Sequence, residues 1–175
     1  GTDWCRFGTQ DSTGLGIKLE KALCGSWTPA KVKLAVSGCP RNCAEATVKD
    51  IGIICVDSGY DIHIAGAAGL HVRATDLLGH VDTEEEAIEH VAAILQLYRE
   101  QAMYLDRIFK WVEKAGLDKV RAAIMDDHEG RRALVERCGK SQRAVRKDPW
   151  AERAAGRELH EFMPLATLTS IAPAA

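Results

Sequence analysis

Apolar positions set out the chain before any single residue stands out. Leu15, Leu19, Ala22 and Leu23 fall on one side of a helical wheel, predicting a helix from Ser12 or Thr13 to Leu23, ended by Cys24-Gly25. Lys31 to Val36 alternates and predicts a strand; Ile51 to Val56 is a continuous apolar run and predicts a buried one. Asp57-Ser58-Gly59 has turn chemistry, and Tyr60 to Ile64 alternates again, so the last two runs predict a hairpin. Ala74 to Val81 predicts a short edge strand. At Thr83 the period changes to that of helices. Thr83 with Glu86 forms a capping box, and Ala87, Ile88, Val91, Ile94, Leu95 and Tyr98 mark a long amphipathic helix. Leu105, Ile108, Phe109 and Val112 mark a second, ended by Gly116. Val120, Ile124, Leu134 and Val135 mark two more. The expected architecture is α/β: a small mixed sheet with flanking helices over residues 1–82, then a helical annex over 83–150, closed by Asp148-Pro149-Trp150. The tail, 151–175, is expected to be extended or to dock on a partner.

Composition narrows the function classes. A net charge of −2 over 175 residues argues against a nucleic-acid or membrane-surface binder. No apolar run approaches the roughly 18 residues that span a bilayer. Gly1 to Gln10 has neither the basic start nor the apolar centre of a signal peptide. The expected location is therefore the cytoplasm, with reduced thiols. The chain opens without methionine and inside a motif-like segment, which suggests a section of a longer protein.

The chemistry lies in the six cysteines. Cys55 sits in an apolar strand and reads as a small buried hydrophobe. Cys138 precedes Gly139 and reads as a helix-end residue without a role. Cys39 and Cys43 stand four apart in Ser37-Gly38-Cys39-Pro40-Arg41-Asn42-Cys43-Ala44. Pro40 suits the first position of a helix, predicting one over Ala44 to Asp50 with Cys39 at its N-cap and Cys43 on its first turn. Both sulfurs would then share a face, and the helix start would favour thiolates. With Cys5 and Cys24 the set has four sulfurs, which suits tetrahedral zinc or a 4Fe–4S cluster, or leaves unligated thiols. The histidines are scattered and read as structural. Gly14 and Gly16, unfavourable inside a helix, suggest a close approach to something flat.

Gly1-Thr2-Asp3-Trp4-Cys5-Arg6-Phe7-Gly8-Thr9-Gln10-Asp11-Ser12, followed by Gly38-Cys39-Pro40-Arg41-Asn42-Cys43, resembles the sirohaem and 4Fe–4S domain of nitrite and sulfite reductases. Within that family the likeness is to the carboxy-terminal part of the large subunit of bacterial NAD(P)H-dependent assimilatory nitrite reductases. It extends to about Arg153. The resemblance implies a cluster held by a C-x5-C and a C-x3-C motif. Cys5 is then the second ligand, Cys39 the third, and Cys43 the fourth, which also bridges the cluster to sirohaem iron. The first ligand would precede Gly1 by two residues, and Cys24 has no ligand role in the pattern. A helix start at Cys43 would raise the cluster potential. Arg41, Asn42 and, with less claim, Arg6 are expected at the cluster edge or at sirohaem carboxylates. The implied reaction is six-electron reduction of nitrite to ammonia. FAD, NAD(P)H and the anion-binding residues would lie upstream, so these 175 residues alone are expected to be inactive. Implied partners are the upstream domains and the small nitrite reductase subunit. Alternatives are a sulfite reductase haemoprotein domain, or a zinc-binding or docking module without catalysis.

Overall fold

A computed structural model describes residues 1–145 and 149–157. Its centre is a four-stranded sheet in chain order: β1 (Leu34–Ser37), β2 (Ile51–Val56), β3 (Gly59–Ile64) and β4 (Asp76–Val81). β1 runs parallel to β2, and the other pairs are antiparallel, so the sheet is mixed as expected. The β2–β3 hairpin pairs Val56 with Gly59, and the register slips between Ile62 and His63 where β3 meets β4.

Helix α1 (Ser12–Leu23) starts at Asp11, whose carboxylate accepts the Gly14 N–H at 2.8 Å. A Cβ on Gly14 would meet that carboxylate at 2.2 Å. The absent side chain at Gly14 therefore makes room for the cap. α2 (Glu84–Gln101) begins at the predicted capping box: Thr83 Oγ1 accepts from Glu86 N, and Glu86 accepts from Thr83 N at 3.0 Å. α2 is buried on nearly all sides, because the sheet covers one face and α5 (His128–Val145) the other. α3 (Ile108–Ala115) ends at Gly116 with φ +92°, followed by α4 (Leu117–Arg121), a π-helical turn (Ala122–Asp126) and, after α5, α6 (Pro149–Ala154). Cys138 lies inside α5 at 2% exposure rather than at a helix end; α5 runs past Gly139, and Cys138 packs inwards. Residues 158–175, most of the predicted tail, lie outside the described residues. No helix among the described residues is long and apolar enough to cross a membrane.

The sheet and the helices share one apolar core. A buried charge ties its parts together. Asp50, fully buried at the start of β2, accepts from Lys33 N at 2.8 Å and from Arg107 Nε and Nη2 at 3.1 and 2.5 Å. It thereby joins the approach to β1, the start of β2 and the N-cap of α3. The two sheet edges differ. Arg121 donates to the Leu77 and Leu78 carbonyls at 2.9 and 3.0 Å and covers the outer edge of β4. The outer edge of β1 faces a cleft under α1.

Arg107→Ala leaves the Asp50 carboxylate buried beside a single backbone donor. It should lower stability by about 3 kcal/mol in urea unfolding. Asp61 and His80 are opposed across β3 and β4, with Nδ1 at 2.8 Å from the carboxylate. The hydrogen bond to Asp61 raises the His80 pKa above 6.5. A raised value means that this contact contributes stability below pH about 6.5 and loses it as pH rises through the folded value. Asp61→Asn should bring the His80 NMR titration back towards 6.5 and weaken that pH dependence, with Asp82 at 3.4 Å from Nε2 left in place.

Candidate metal centre

The cysteine segment leaves β1 at Ser37. Asn42 N donates to Cys39 O at 3.1 Å, so Cys39 to Asn42 form a β-turn with Pro40 at its second position. Glu45 N closes a second turn onto Asn42 O at 2.9 Å. Asn42 and Glu45 both have φ +55°. Two left-handed residues three apart break any right-handed helix. The helix expected over Ala44 to Asp50 is absent, and only a 3₁₀ turn, Ala46–Val48, remains. Cys39 is thus no helix N-cap, and Cys43 is on no helical first turn. The potential shift expected from a helix start has no basis here.

Asn42 holds this shape. Its Oδ1 accepts from Ser37 Oγ at 3.1 Å and Ala46 N at 2.7 Å, and its Nδ2 donates to Thr47 Oγ1 at 2.6 Å. Ser37, 1% exposed, also accepts the Ala44 N–H at 3.3 Å. The 3₁₀ turn is pressed against the sheet at Gly52, where a Cβ would lie 2.2 Å from Ala46 O. Asn42 therefore turns its amide into the loop and acts as a positioning residue.

The amino-terminal loop is clamped onto this segment. Thr9 donates to Gly38 O through its N–H at 2.8 Å and its hydroxyl at 3.2 Å, and Gln10 Nε2 reaches Val56 O at 3.1 Å. Cys5 N donates to Gly1 O at 3.1 Å, while a Cβ on Gly38 would lie 2.8 Å from Gly1 Cα. Arg41 stacks its guanidinium over Phe7 at 3.8 Å from the ring centre, with Arg6 at 4.8 Å from the same ring. The loop of Cys5 and the turn of Cys39 and Cys43 are thereby neighbours. Cys5 and Cys43 are exposed, and Cys39 is half-buried. Cys24 is at the far end of α1, about 18 Å away along the 12-residue helix axis. Among the described residues no three His, Cys, Asp or Glu side chains close around a single ion.

Cysteine sulfurs on two adjoining loops are the donor type that an iron–sulfur cluster takes. Gly16 lines the α1–β1 cleft, and a Cβ there would meet nothing within 4 Å. Sequence reasoning missed Ser37, Thr47, Thr9 and Phe7. Only one local signal was present: an asparagine, tolerant of left-handed backbone, between two cysteines.

Asn42→Ala removes three hydrogen bonds and leaves at φ +55° a side chain that can bond nothing locally. It should lower the unfolding free energy by about 2 kcal/mol, read in urea. Thiol-labelling rates at Cys39 and Cys43 should rise in the same variant.

Residues 1–132 match the family described as the nitrite and sulphite reductase 4Fe-4S domain. The NAD(P)H nitrite reductase of Bacillus subtilis is 49% identical over 87% of this chain and 19% of its own length. The NADH nitrite reductase large subunit of Escherichia coli is 39% identical over 78% of this chain and 16% of its own length. An assimilatory-type sulfite reductase of Nitratidesulfovibrio vulgaris is 36% identical, over 71% of this chain and 57% of its own length. The chain thus spans under a fifth of the two nitrite reductases. The solved structure of the Mycobacterium tuberculosis NirA protein has the same fold over 69% of this chain and 25% of its own, with a TM-score of 0.57 at 22% identity. With residues 1–132 matched by its model, this chain belongs to the nitrite and sulphite reductase 4Fe-4S domain family.

Proposed function

We propose that the chain is the carboxy-terminal sirohaem and 4Fe–4S section of an assimilatory NAD(P)H-dependent nitrite reductase large subunit, a cytoplasmic enzyme. Cys5, Cys39 and Cys43 would hold the cluster, and Cys43 would also serve the sirohaem iron. The observation that carries this reading is the Thr9–Gly38 clamp, which seats the Cys5 loop beside the turn of the other two thiols. When bound, the cluster and sirohaem supply the electrons and the iron centre for six-electron reduction of nitrite to ammonia.

The rest is the work of the chain. The Asn42 network fixes the turn before any cluster arrives, so ligation orders few residues. Arg41 and Arg6, exposed and gathered on Phe7, offer guanidinium groups to the carboxylates of a bound macrocycle. Asn42 serves the site from behind, through the loop. Residues 1–82 carry the ligands, and 83–150 buttress the sheet through α2 and the Arg107–Asp50 pair. The first cluster cysteine, the flavin and nicotinamide sites and the anion-binding residues belong to other parts of the longer protein. The isolated chain is then inactive, and the small subunit is a partner of the whole. Sulfite is the second substrate to test, because a sulfite reductase is among the matched relatives.

In the longer protein, Cys5→Ser, Cys39→Ser and Cys43→Ser should each remove most of the iron and acid-labile sulfide. They should also abolish nitrite-dependent NAD(P)H oxidation. Cys24→Ser should retain all three. Equal losses in the Cys24→Ser protein, or full iron in the Cys39→Ser protein, would overturn the ligand assignment.

A further inference from the structure

A cleft under α1 lies outside the proposed cluster site. It has a volume of about 660 Å³. One wall is α1 at Thr13, Gly16 and Ile17; the other is β1 itself, with Leu34, Ala35 and Val36 in succession. Successive strand residues point to opposite faces, so three in a row can line one cavity only along the strand's edge.

That edge is open. Lys33 O accepts from Ile51 N at 3.2 Å, so Lys33 faces β2. By the alternation of a parallel ladder Ala35 and Ser37 face β2 as well, and the N–H and C=O groups of Leu34 and Val36 face the cleft. β1 pairs with no second strand among the described residues. The opposite edge, at β4, is covered by Arg121, whereas among the described residues no side-chain hydrogen bond covers the outer edge of β1. α1 buries Leu15 and Leu19 on the existing core, yet it overhangs the cleft with Ile17 46% exposed.

We infer that this edge receives a fifth strand: the stretch of the longer chain that runs into Gly1. Gly1 packs on Gly38, just past the end of β1, and on Ser12, at one end of the cleft. α1 runs from that end back to Leu23 and Gly25, beside Thr28 and Val32 at the other. A segment that lies in the cleft and reaches Gly1 must therefore run parallel to β1. The incoming strand, α1 and β1 then form a strand–helix–strand crossover, the usual way to join parallel neighbours. The cleft runs along the chain from Val32 into β1 at Val36, about 13 Å, enough for about five residues of strand. The same insertion draws the residues immediately before Gly1 to the Gly38–Cys39 turn. The occupant thus rests on the reading of this chain as a section of a longer protein.

The test is amide hydrogen exchange on the purified longer protein, with iron measured in the same sample and the 175-residue chain as reference. Leu34 and Val36 should exchange in the longer protein roughly 100-fold more slowly than in the reference chain. Val36→Pro removes one outward N–H and leaves the β2-facing groups in place. In the longer protein it should speed exchange at Leu34; in the reference chain it should change little. Fast exchange at both amides in the longer protein, with iron present, would overturn the fifth strand and leave the cluster reading intact. Slow exchange without iron would do the reverse. Protection already present in the reference chain would also overturn it. If that protection grows with concentration, a second copy occupies the edge; if it does not, a small ligand or the chain's own residues do.

Discussion

The side-chain carbonyl of Asn42 accepts two hydrogen bonds, from Ser37 and from the Ala46 N–H, and the site depends on that arrangement. The pair brings the residue before Gly38 and the residue after Glu45 to one point. The eight residues between are then forced into two successive turns. Left-handed backbone at Asn42 and Glu45 follows, and so does the outward presentation of the thiols. Asparagine suits the position because its short amide can bond locally in a conformation that most side chains resist. A helix in the same place would have used the Ala46 N–H on the carbonyl of residue 42 instead. The side chain took the backbone's bond.

Around this turn the molecule divides rigid support from open chemistry. Beneath it, Gly52 allows the 3₁₀ turn to touch β2, and the buried Asp50–Arg107 pair fixes where β2 begins. Above it, the amino-terminal loop adds Cys5 and the Phe7 platform for Arg6 and Arg41. The burial of Cys55 pushes its thiol up to about 11 and makes it an inert core sulfur, whereas Cys5 and Cys43 are exposed and Cys39 is half-buried.

Much of the fold was legible because its signals are local. The hairpin of β2 and β3, the Thr83–Glu86 capping box and the Gly116 stop each depend on residues within a few positions. The cysteine turn was misread for a specific reason. Proline's fixed φ serves the first residue of a helix and the second residue of a β-turn equally well, and only the partner of the Asn42 amide decides between them. Asp50 and Arg107 are 57 residues apart, Thr9 and Gly38 29 apart, so neither contact leaves a trace in periodicity. The cysteines proposed as ligands were picked out by resemblance; the contacts that seat their two loops side by side were visible only in the fold.

The account turns on sulfur atoms from two separate loops meeting one cluster. Iron anomalous scattering from crystals of the loaded longer protein would locate that cluster against named side chains. The account predicts a compact cluster of iron in contact with Sγ of Cys5, Cys39 and Cys43, a separate sirohaem iron on the Cys43 side, and Cys24 remote from both. A cluster bonded to Cys24, or one that leaves Cys5 free, would contradict it.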